Sequence, residues 1–258
     1  MEIVSVYQLQ GEPDQLAYDL ADALGTTVYE ARARVSVPSG GPTIVANFAT
    51  TEQATACAAR LNDHGFKTLV VESGQIESDQ NRLSVRQIQF TNDGFRIVTR
   101  DDIKLEIPYP EVKLLLRGVG IISNIQVETE TKKKFALGRA IATGGLVMKK
   151  KVKTTTTSNS QERQPFCHIY TADQPPVVLR QADIDYTALG DKLQPSRDAN
   201  FNWICTELRR CCPAADWDDR LQTRPGLAQV LGPAFDPESD LDLAITLIVL
   251  AKEESDRV

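Results

Sequence analysis

The sequence predicts an α+β fold in which a small β-α-α-β-α-β unit precedes a strand-rich region that ends in helices. Apolar residues change between strand and helical spacing over roughly the first 75 residues. From residue 84, short alternating runs separated by turn signals predict strands, and helical spacing returns near residue 198. The 258 residues, 41% of them hydrophobic and 25% charged, are typical of a globular chain with one large or two modest domains.

Proline, glycine and threonine delimit the elements of the N-terminal unit. Pro13 suits the first turn of a helix that Gly25 ends, and Thr26 or Thr27 is placed to cap the next helix. Residues 38–42 are rich in proline and glycine and predict a loop. The predicted elements are a strand over 3–6, helices over 13–24 and 28–35, a strand over 43–48, a helix from about 51 to 64 and a strand over 66–71.

Four short stretches of this unit carry a family resemblance. They are Ala-Leu-Gly-Thr-Thr-Val-Tyr-Glu-Ala-Arg at 23–32, Gly-Pro at 41–42, Thr-Glu-Gln-Ala at 51–54 and Leu-Asn-Asp-His-Gly at 61–65. In this order they resemble the C-terminal domain of the ribosomal stalk protein. The resemblance implies partner binding through a helical face and no catalytic residues. Arg32 stands where that family has a binding lysine, and it is the predicted protein-binding residue, although the rest of the family's basic face is missing here.

Strands dominate the next region, after a polar stretch at 73–81 that predicts a linker. Asn92-Asp93-Gly94 and Asp101-Asp102 are turn signals between alternating runs, and Pro108-Tyr109-Pro110 predicts a kink. The predicted strands cover 84–90, 95–100, 104–107, 112–117, 121–129, 153–157, 166–171 and 177–185, and a helix follows at about 198–212.

The stretch Leu-Glu-Ile-Pro-Tyr-Pro-Glu-Val at 105–112 looks like the bacterial version of a pleckstrin-homology-like domain. The resemblance covers about residues 84–220 and implies a barrel of antiparallel strands closed by a C-terminal helix. It also implies binding of lipid headgroups or protein ligands. The chain departs from the family in a long insertion at about 130–160. The predicted domains are therefore 1–74, 84–220 with that insertion, and a C-terminal helical extension at 221–258.

Positive charge is concentrated in this insertion. Residues 81–160 carry a net charge of +8, whereas the stretches before and after each carry −7, within a total of −6. Eight cations flank an apolar, glycine-bearing stretch at 141–148. They are Lys132, Lys133, Lys134, Arg139, Lys149, Lys150, Lys151 and Lys153. Such a field is either solvated or meets an anionic surface, and these residues are the predicted anionic-surface site.

Three interpretations of the basic block stay open. An anionic membrane would attract the cations while the apolar stretch enters the interface. Nucleic acid is the alternative, but Phe135 is the one aromatic ring in the block, which gives base stacking little support. The third is a solvated loop whose apolar middle packs on its own domain. Gly138, Gly144 and Gly145 do not match a phosphate-binding loop or a dinucleotide fingerprint.

Few residues offer catalytic or metal chemistry. The chain has two histidines and five cysteines without framework or zinc-ligand spacing. Cys57 and His64 lie seven positions apart on one predicted helix, whereas Cys167 and His168 are adjacent on a strand and must face opposite ways. The acidic run at 236–242 lacks the EF-hand glycine and terminal glutamate. We therefore expect no enzyme activity, no metal and no cofactor, and leave open a chemical role for Cys57, His64 or His168.

A helix from about Glu238 to Glu254, with Asp236 as its cap, is apolar nearly all round and must be covered on most sides. Its cover is the chain's own core, another subunit or a membrane surface, and we favour the chain's own core or a homo-oligomer interface through residues 238–254. The acidic N-terminus does not resemble a signal peptide, and the longest apolar run is too short to span a bilayer. These features predict a cytoplasmic protein, peripheral to the membrane if the basic block binds lipid.

Taken together, the sequence favours a non-enzymatic bacterial adaptor or scaffold that binds a protein partner and, through the basic block, an anionic surface. A nucleic-acid-binding regulator is the alternative, and a hydrolase with an unrecognised site is a third class. The identity of the ligand, the oligomeric state and the order of residues 130–160 do not follow from the sequence.

Overall fold

The computed structural model describes residues 1–36, 40–135, 149–232, 235–236 and 239–257, with the side chains of 121–135 and 149–162 outside the description. The chain forms two compact units, residues 1–120 with 165–258 (the first unit) and residues 121–164 (the second unit). The strands are β1 Glu2–Tyr7, β2 Thr43–Phe48, β3 Lys67–Glu72, β4 Leu83–Phe90, β5 Gly94–Thr99, β6 Lys104–Pro108, β7 Val112–Phe135, β8 Lys149–Thr171, β9 Val177–Arg180 and β10 Asp216–Leu221. The helices are α1 Pro13–Leu24, α2 Val28–Val35, α3 Thr51–Asp63, α4 Arg197–Cys211, α5 Arg224–Leu231 and α6 Leu241–Asp256.

The N-terminal unit has the predicted order of elements, with β1 in the middle of a three-stranded antiparallel sheet. Local capping explains where its helices begin. The Thr27 hydroxyl accepts a hydrogen bond from the Glu30 N–H (3.3 Å), while the Glu30 carboxylate accepts one from the Thr27 N–H (3.1 Å). This reciprocal pair satisfies two amide groups at the start of α2. Gly25 ends α1 in a left-handed conformation with φ of 67°.

The second sheet has seven strands in the order β10-β7-β8-β9-β4-β5-β6. It is mixed, because β10 runs parallel to β7 and β4 runs parallel to β9. The order has two different edge strands, so the described residues do not close into a barrel. The α+β class is confirmed, but the predicted closed barrel is wrong. Alternating apolar residues indicate strands without indicating partners, and here β10 adds to one edge, far from β6.

Strand β10 was not predicted, because three of the four residues at 216–219 are aspartates, which are disfavoured in strands. In the structure its backbone pairs with residues 114–118 of β7. Asp218 is paired within the strand, because Arg220 Nε donates to both of its oxygens (3.1 and 3.0 Å), whereas Asp216 pairs with Lys252 of α6. A tertiary partner has therefore overridden a weak local strand propensity.

Three apolar clusters hold the first unit together. One lies between α1, α2, α3 and the N-terminal sheet, and another between the seven-stranded sheet and α4. The third joins both sheets through α5 and α6 and includes Ile3, Leu69, Leu116, Phe166 and Leu247. The predicted segments 1–74, 84–220 and 221–258 thus all contribute to one core, and whether each folds as an independent domain stays a prediction.

Helix α6 is covered mainly by the chain's own core, which was one of the two favoured covers. Leu243, Ala244, Ile245, Leu247 and Ile248 are all buried there. Homo-oligomer formation through this helix stays a prediction, although the apolar side chains that suggested it are buried within the chain. The helix begins at Leu241, later than expected. The Asp240 carboxylate accepts from the Asp236 N–H (3.0 Å) and makes no cap bond, so the chain turns before the helix starts.

Candidate functional site

The two lysine triplets lie on strands that neighbour each other in the sheet. Lys132–Lys134 stand near the end of β7, and Lys149–Lys151 stand at the start of β8. Gly118, near the start of β7, lies against the ring of Phe166, near the end of β8. The start of one strand therefore lies beside the end of the other, so these neighbouring strands run antiparallel. The two triplets therefore adjoin at the same end of one ladder.

The second unit consists of the parts of these strands at 121–135 and 149–164, which we call the basic ribbon, and of residues between them that lie outside the description. Of the described pairings, β10 meets β7 at residues 114–118 and β9 meets β8 at 166–169. Within the basic ribbon, each strand has the other as its described neighbour. A two-stranded ribbon is marginally stable alone in water, which favours a further surface on which it rests. Lys153 belongs to this ribbon, whereas Arg139 lies outside the described residues.

Charge is divided sharply between the two units. Residues 121–164 contain 9 basic and 3 acidic residues, a net charge of +6. The remainder of the chain contains 20 basic and 32 acidic residues, a net charge of −12. Opposite charges on separate units give the chain a strongly cationic part with an anionic body, a distribution that steers the cationic part toward anions.

A second candidate surface is formed by α1 and α2, where the predicted protein-binding residue Arg32 lies. Arg32 Nη2 stands 2.9 Å from Asp14 Oδ1, and both side chains are more than half exposed. Tyr18 lies one turn after Asp14 on α1, and Tyr29 lies one turn before Arg32 on α2. The short connection at 25–27 makes the two helices a hairpin. Both tyrosines therefore lie on the same side as the ion pair, one helical turn closer to that connection. They are 58% and 87% exposed.

A groove continues from Tyr29 toward α5. Its walls include Tyr29, Ala33 and Arg34 from α2, and Ala228 and Gln229 from α5. Exposed tyrosines beside a groove and an ion pair are typical of protein interfaces, because tyrosine offers a large contact area and a polar tip at low entropic cost. The α1–α2 face therefore has the composition of a protein-binding surface.

A buried polar cluster lies where the predicted linker meets the two sheets. The Arg82 side chain is 2% exposed and stands in contact with the carboxylates of Glu77, Asp79 and Asp242. Arg82 Nη1 donates to Asp242 Oδ1 at 2.6 Å, which ties the linker to the first turn of α6. The Glu77 N–H also donates to the Thr246 hydroxyl (2.9 Å), one turn further along α6.

Strand β8 supplies the other half of this cluster. The Tyr170 hydroxyl donates to Glu77 Oε2 (3.0 Å), and His168 Nδ1 lies 3.3 Å from the same hydroxyl. Burial and the nearby Glu77 carboxylate raise the pKa of Tyr170. Burial, with Arg82 and Arg180 close by, holds the pKa of His168 well below its ordinary value. His168 is therefore neutral at physiological pH.

Cys57, His64, Cys167 and His168 do not assemble into an activated nucleophile. Cys57 is buried against α1 and β1, and burial raises the pKa of its thiol, the opposite of what a nucleophile needs. His64 caps the end of α3, where its Nε2 stands 3.7 Å from Asp22 Oδ2. Cys167 and His168 face opposite sides of β8, as predicted, since Cys167 packs toward α4 while the His168 ring contacts the ring of Phe166 at a tilt of 48°. The absence of enzyme activity stays a prediction.

Two further observations concern metals and membranes. Among the residues that the structure describes, no group of three or more histidine, cysteine, aspartate or glutamate side chains is arranged to hold a metal ion. Within the same part of the chain, no helix has the length and apolar character needed to cross a bilayer.

Sequence reasoning missed the Arg82 cluster. The segment 73–81 was expected to be a linker. In the structure it forms two short 3-10 turns, and Glu77 between them enters the buried network. A lone arginine ahead of a strand carries no signal of burial, because its partners come from residues up to 160 positions away. Glu77 and Asp79 are the partners of Arg82 that lie close to it in the sequence.

Comparison with known proteins gave no relatives: no family model, curated protein or solved structure matches this chain.

Proposed function

We propose that this protein is a non-enzymatic adaptor or scaffold that binds a protein partner through the α1–α2 face and an anionic membrane surface through the basic ribbon. The observation that carries the membrane part is the pairing of β7 with β8, which brings the two lysine triplets to one end of a ladder. Each basic residue near an anionic membrane contributes about 1 kcal/mol. Six lysines acting together therefore supply about 6 kcal/mol at most, or roughly four orders of magnitude in partitioning.

Co-sedimentation with vesicles tests the membrane part. We expect the protein to sediment with phosphatidylserine-containing vesicles and to stay in solution with phosphatidylcholine vesicles. Changing Lys149, Lys150 and Lys151 to glutamine should lower retention by at least tenfold, because half of the lysine field is lost. A matched variant with Lys104, Lys113 and Lys192 changed to glutamine removes three exposed charges from the first unit and should bind like the wild type. Equal retention of both variants would contradict the proposal.

A nucleic-acid-binding regulator is the second candidate, and the two-stranded geometry of the basic ribbon favours it. The major groove of B-DNA admits a two-stranded β-ribbon, and lysines would neutralise its phosphates. Binding to a random DNA duplex that exceeds binding to anionic vesicles at equal salt would favour this candidate over the membrane. The slope of log affinity against log salt should then fall by about 0.9 for each phosphate contact removed with a lysine.

The protein-binding part is tested separately. Affinity capture followed by cross-linking should recover a partner with the wild type and lose it with Tyr29→Ser or Arg32→Glu, since both lie on one face. Leu193→Ser removes another exposed apolar side chain (51% exposed, against 87% for Tyr29) away from this face and is the control. A partner that Leu193→Ser loses and Tyr29→Ser retains would place binding outside the α1–α2 face.

A further inference from the structure

The buried polar cluster forms a continuous chain of hydrogen bonds and ion pairs across three segments that lie far apart in the sequence. It begins at His168 on β8, passes through Tyr170 to Glu77 in the linker, and reaches Asp242 on α6 through Arg82. Arg82 and His168 are each at least nine-tenths buried. The cluster therefore joins the linker, the seven-stranded sheet and α6 at one point.

The hydrogen bonds define which nitrogen of His168 carries the proton. Glu77 accepts from the Tyr170 hydroxyl, so that hydroxyl has used its only hydrogen and can only accept from His168. His168 Nδ1 is consequently the protonated nitrogen of the neutral ring, and Nε2 is the atom that would take a second proton.

A second proton on His168 would be poorly tolerated in the closed structure. The groups that face the cluster are the guanidinium groups of Arg82 and Arg180, the hydroxyl of Tyr170 and the carboxylates of Glu77, Asp79 and Asp242. The carboxylates are already paired with the two arginines, and Arg82 Nη2 has no partner among the described residues. An imidazolium would be a buried cation beside the buried Arg82 and the partly buried Arg180, without a carboxylate of its own.

We propose that Glu77, Arg82, His168, Tyr170 and Asp242 form an acid-sensitive latch that ties residues 77–82 to the first turns of α6. At neutral pH the uncharged His168 lets the latch close. In acid, His168 takes a proton more readily where the latch is open and water reaches the ring, so the open form gains population. Opening loosens the core that α6 shares with the N-terminal sheet, and with it the support of the α1–α2 face. This regulation does not depend on the basic ribbon.

The sign and size follow from linkage. A histidine whose pKa is lowered in the closed form binds more protons in the open form, so closure is favoured above the ordinary pKa of 6.5 and is lost as pH falls below it. The opening equilibrium should rise about tenfold between pH 7.5 and 5.5 while the closed form stays neutral. Burial of His168 is what makes the closed form resist the proton.

Hydrogen–deuterium exchange over this pH range tests the latch, with rates corrected for the intrinsic pH dependence of exchange. We expect peptides covering 76–83 and 241–248 to exchange about tenfold faster at pH 5.5, while α3, in a separate apolar cluster, changes little. His168→Asn keeps a donor toward Tyr170 but cannot titrate, and it should abolish the change. His64→Asn replaces the only other histidine and should leave it intact.

Two results would overturn the latch. The first is an exchange rate at 241–248 that does not depend on pH. The second is an equal rise of the exchange rate in α3, which would show global unfolding instead of a local event. If His168→Asn fails to fold, Asp242→Asn is the second variant. It removes the negative charge that holds Arg82 at α6, although the Glu77–Thr246 hydrogen bond remains, so it should speed exchange at 241–248 at pH 7.5 and keep the pH dependence. Unchanged exchange at pH 7.5 would count against the proposal. Vesicle binding at neutral pH is unaffected by either outcome, which separates this proposal from the membrane function.

Discussion

At the scale of single residues, the tightest constraints come from contacts between distant segments. Gly118 on β7 lies under the ring of Phe166 and beside Leu221, and a methyl group there would overlap both side chains. Arg82 is buried among carboxylates that the linker and α6 provide. Neither constraint is visible in the local sequence, because glycine in a strand and arginine before one are each compatible with an exposed position.

Gly118→Ala should destabilise the first unit. The added methyl group overlaps Phe166 and Leu221, and overpacking of this kind costs about 1–3 kcal/mol. Chemical denaturation gives the free energy of unfolding. Gly74→Ala is the control, since its nearest neighbour is the far end of the Glu72 side chain at 3.9 Å. Equal effects of both substitutions would argue against tight packing at Gly118.

Arg82→Leu should destabilise the protein by about 3–5 kcal/mol, because it leaves Glu77 buried without its cation. The double variant Arg82→Leu with Glu77→Gln should recover part of this loss, since the uncompensated charge is removed. Thermal or urea unfolding measures both. A single variant as stable as the wild type would mean that the ion pair contributes nothing net to folding.

At the scale of elements, local signals predicted most helices and strands of the N-terminal unit. Proline, glycine and threonine mark where α1 and α2 begin and end, and the caps are observed there. The elements that were missed or misplaced depend on tertiary partners. Strand β10 exists through its pairing with β7, and α6 starts at Leu241, three residues later than the acidic run suggested.

Thr27→Ala should destabilise α2 by about 1 kcal/mol, because the cap bond to the Glu30 N–H is lost. Thr26→Ala, one residue earlier, should have a smaller effect, since the cap hydroxyl belongs to Thr27. The free energies of unfolding of the two variants give the comparison. A larger loss with Thr26→Ala would show that Thr26, and not Thr27, caps α2.

At the scale of the whole molecule, charge and architecture coincide. The second unit, residues 121–164, carries +6 and the first unit −12. The three apolar clusters are built from residues of the first unit. Among the side chains that the structure describes, the acidic part of the chain builds these clusters itself.

Replacing residues 121–164 by a short turn should leave the first unit folded, with a melting temperature within a few degrees of the wild type. The join is feasible because β7 and β8 are neighbouring antiparallel strands at Gly120 and Pro165. Loss of binding to anionic vesicles should accompany the deletion. Circular dichroism and co-sedimentation measure the two properties; an unfolded deletion variant would show that the ribbon contributes to folding.

The sequence by itself determined the α+β class, the six elements of the N-terminal unit and the concentration of positive charge, because these depend on local periodicity, capping and composition. Tertiary structure alone decided that the seven-stranded sheet stays open, that α6 is covered within the chain, and that Arg82 and His168 meet in one buried cluster. The physical reason is that residues far apart in the chain determine strand partners, burial and the pKa of a histidine. A local sequence pattern does not show which distant residues come into contact.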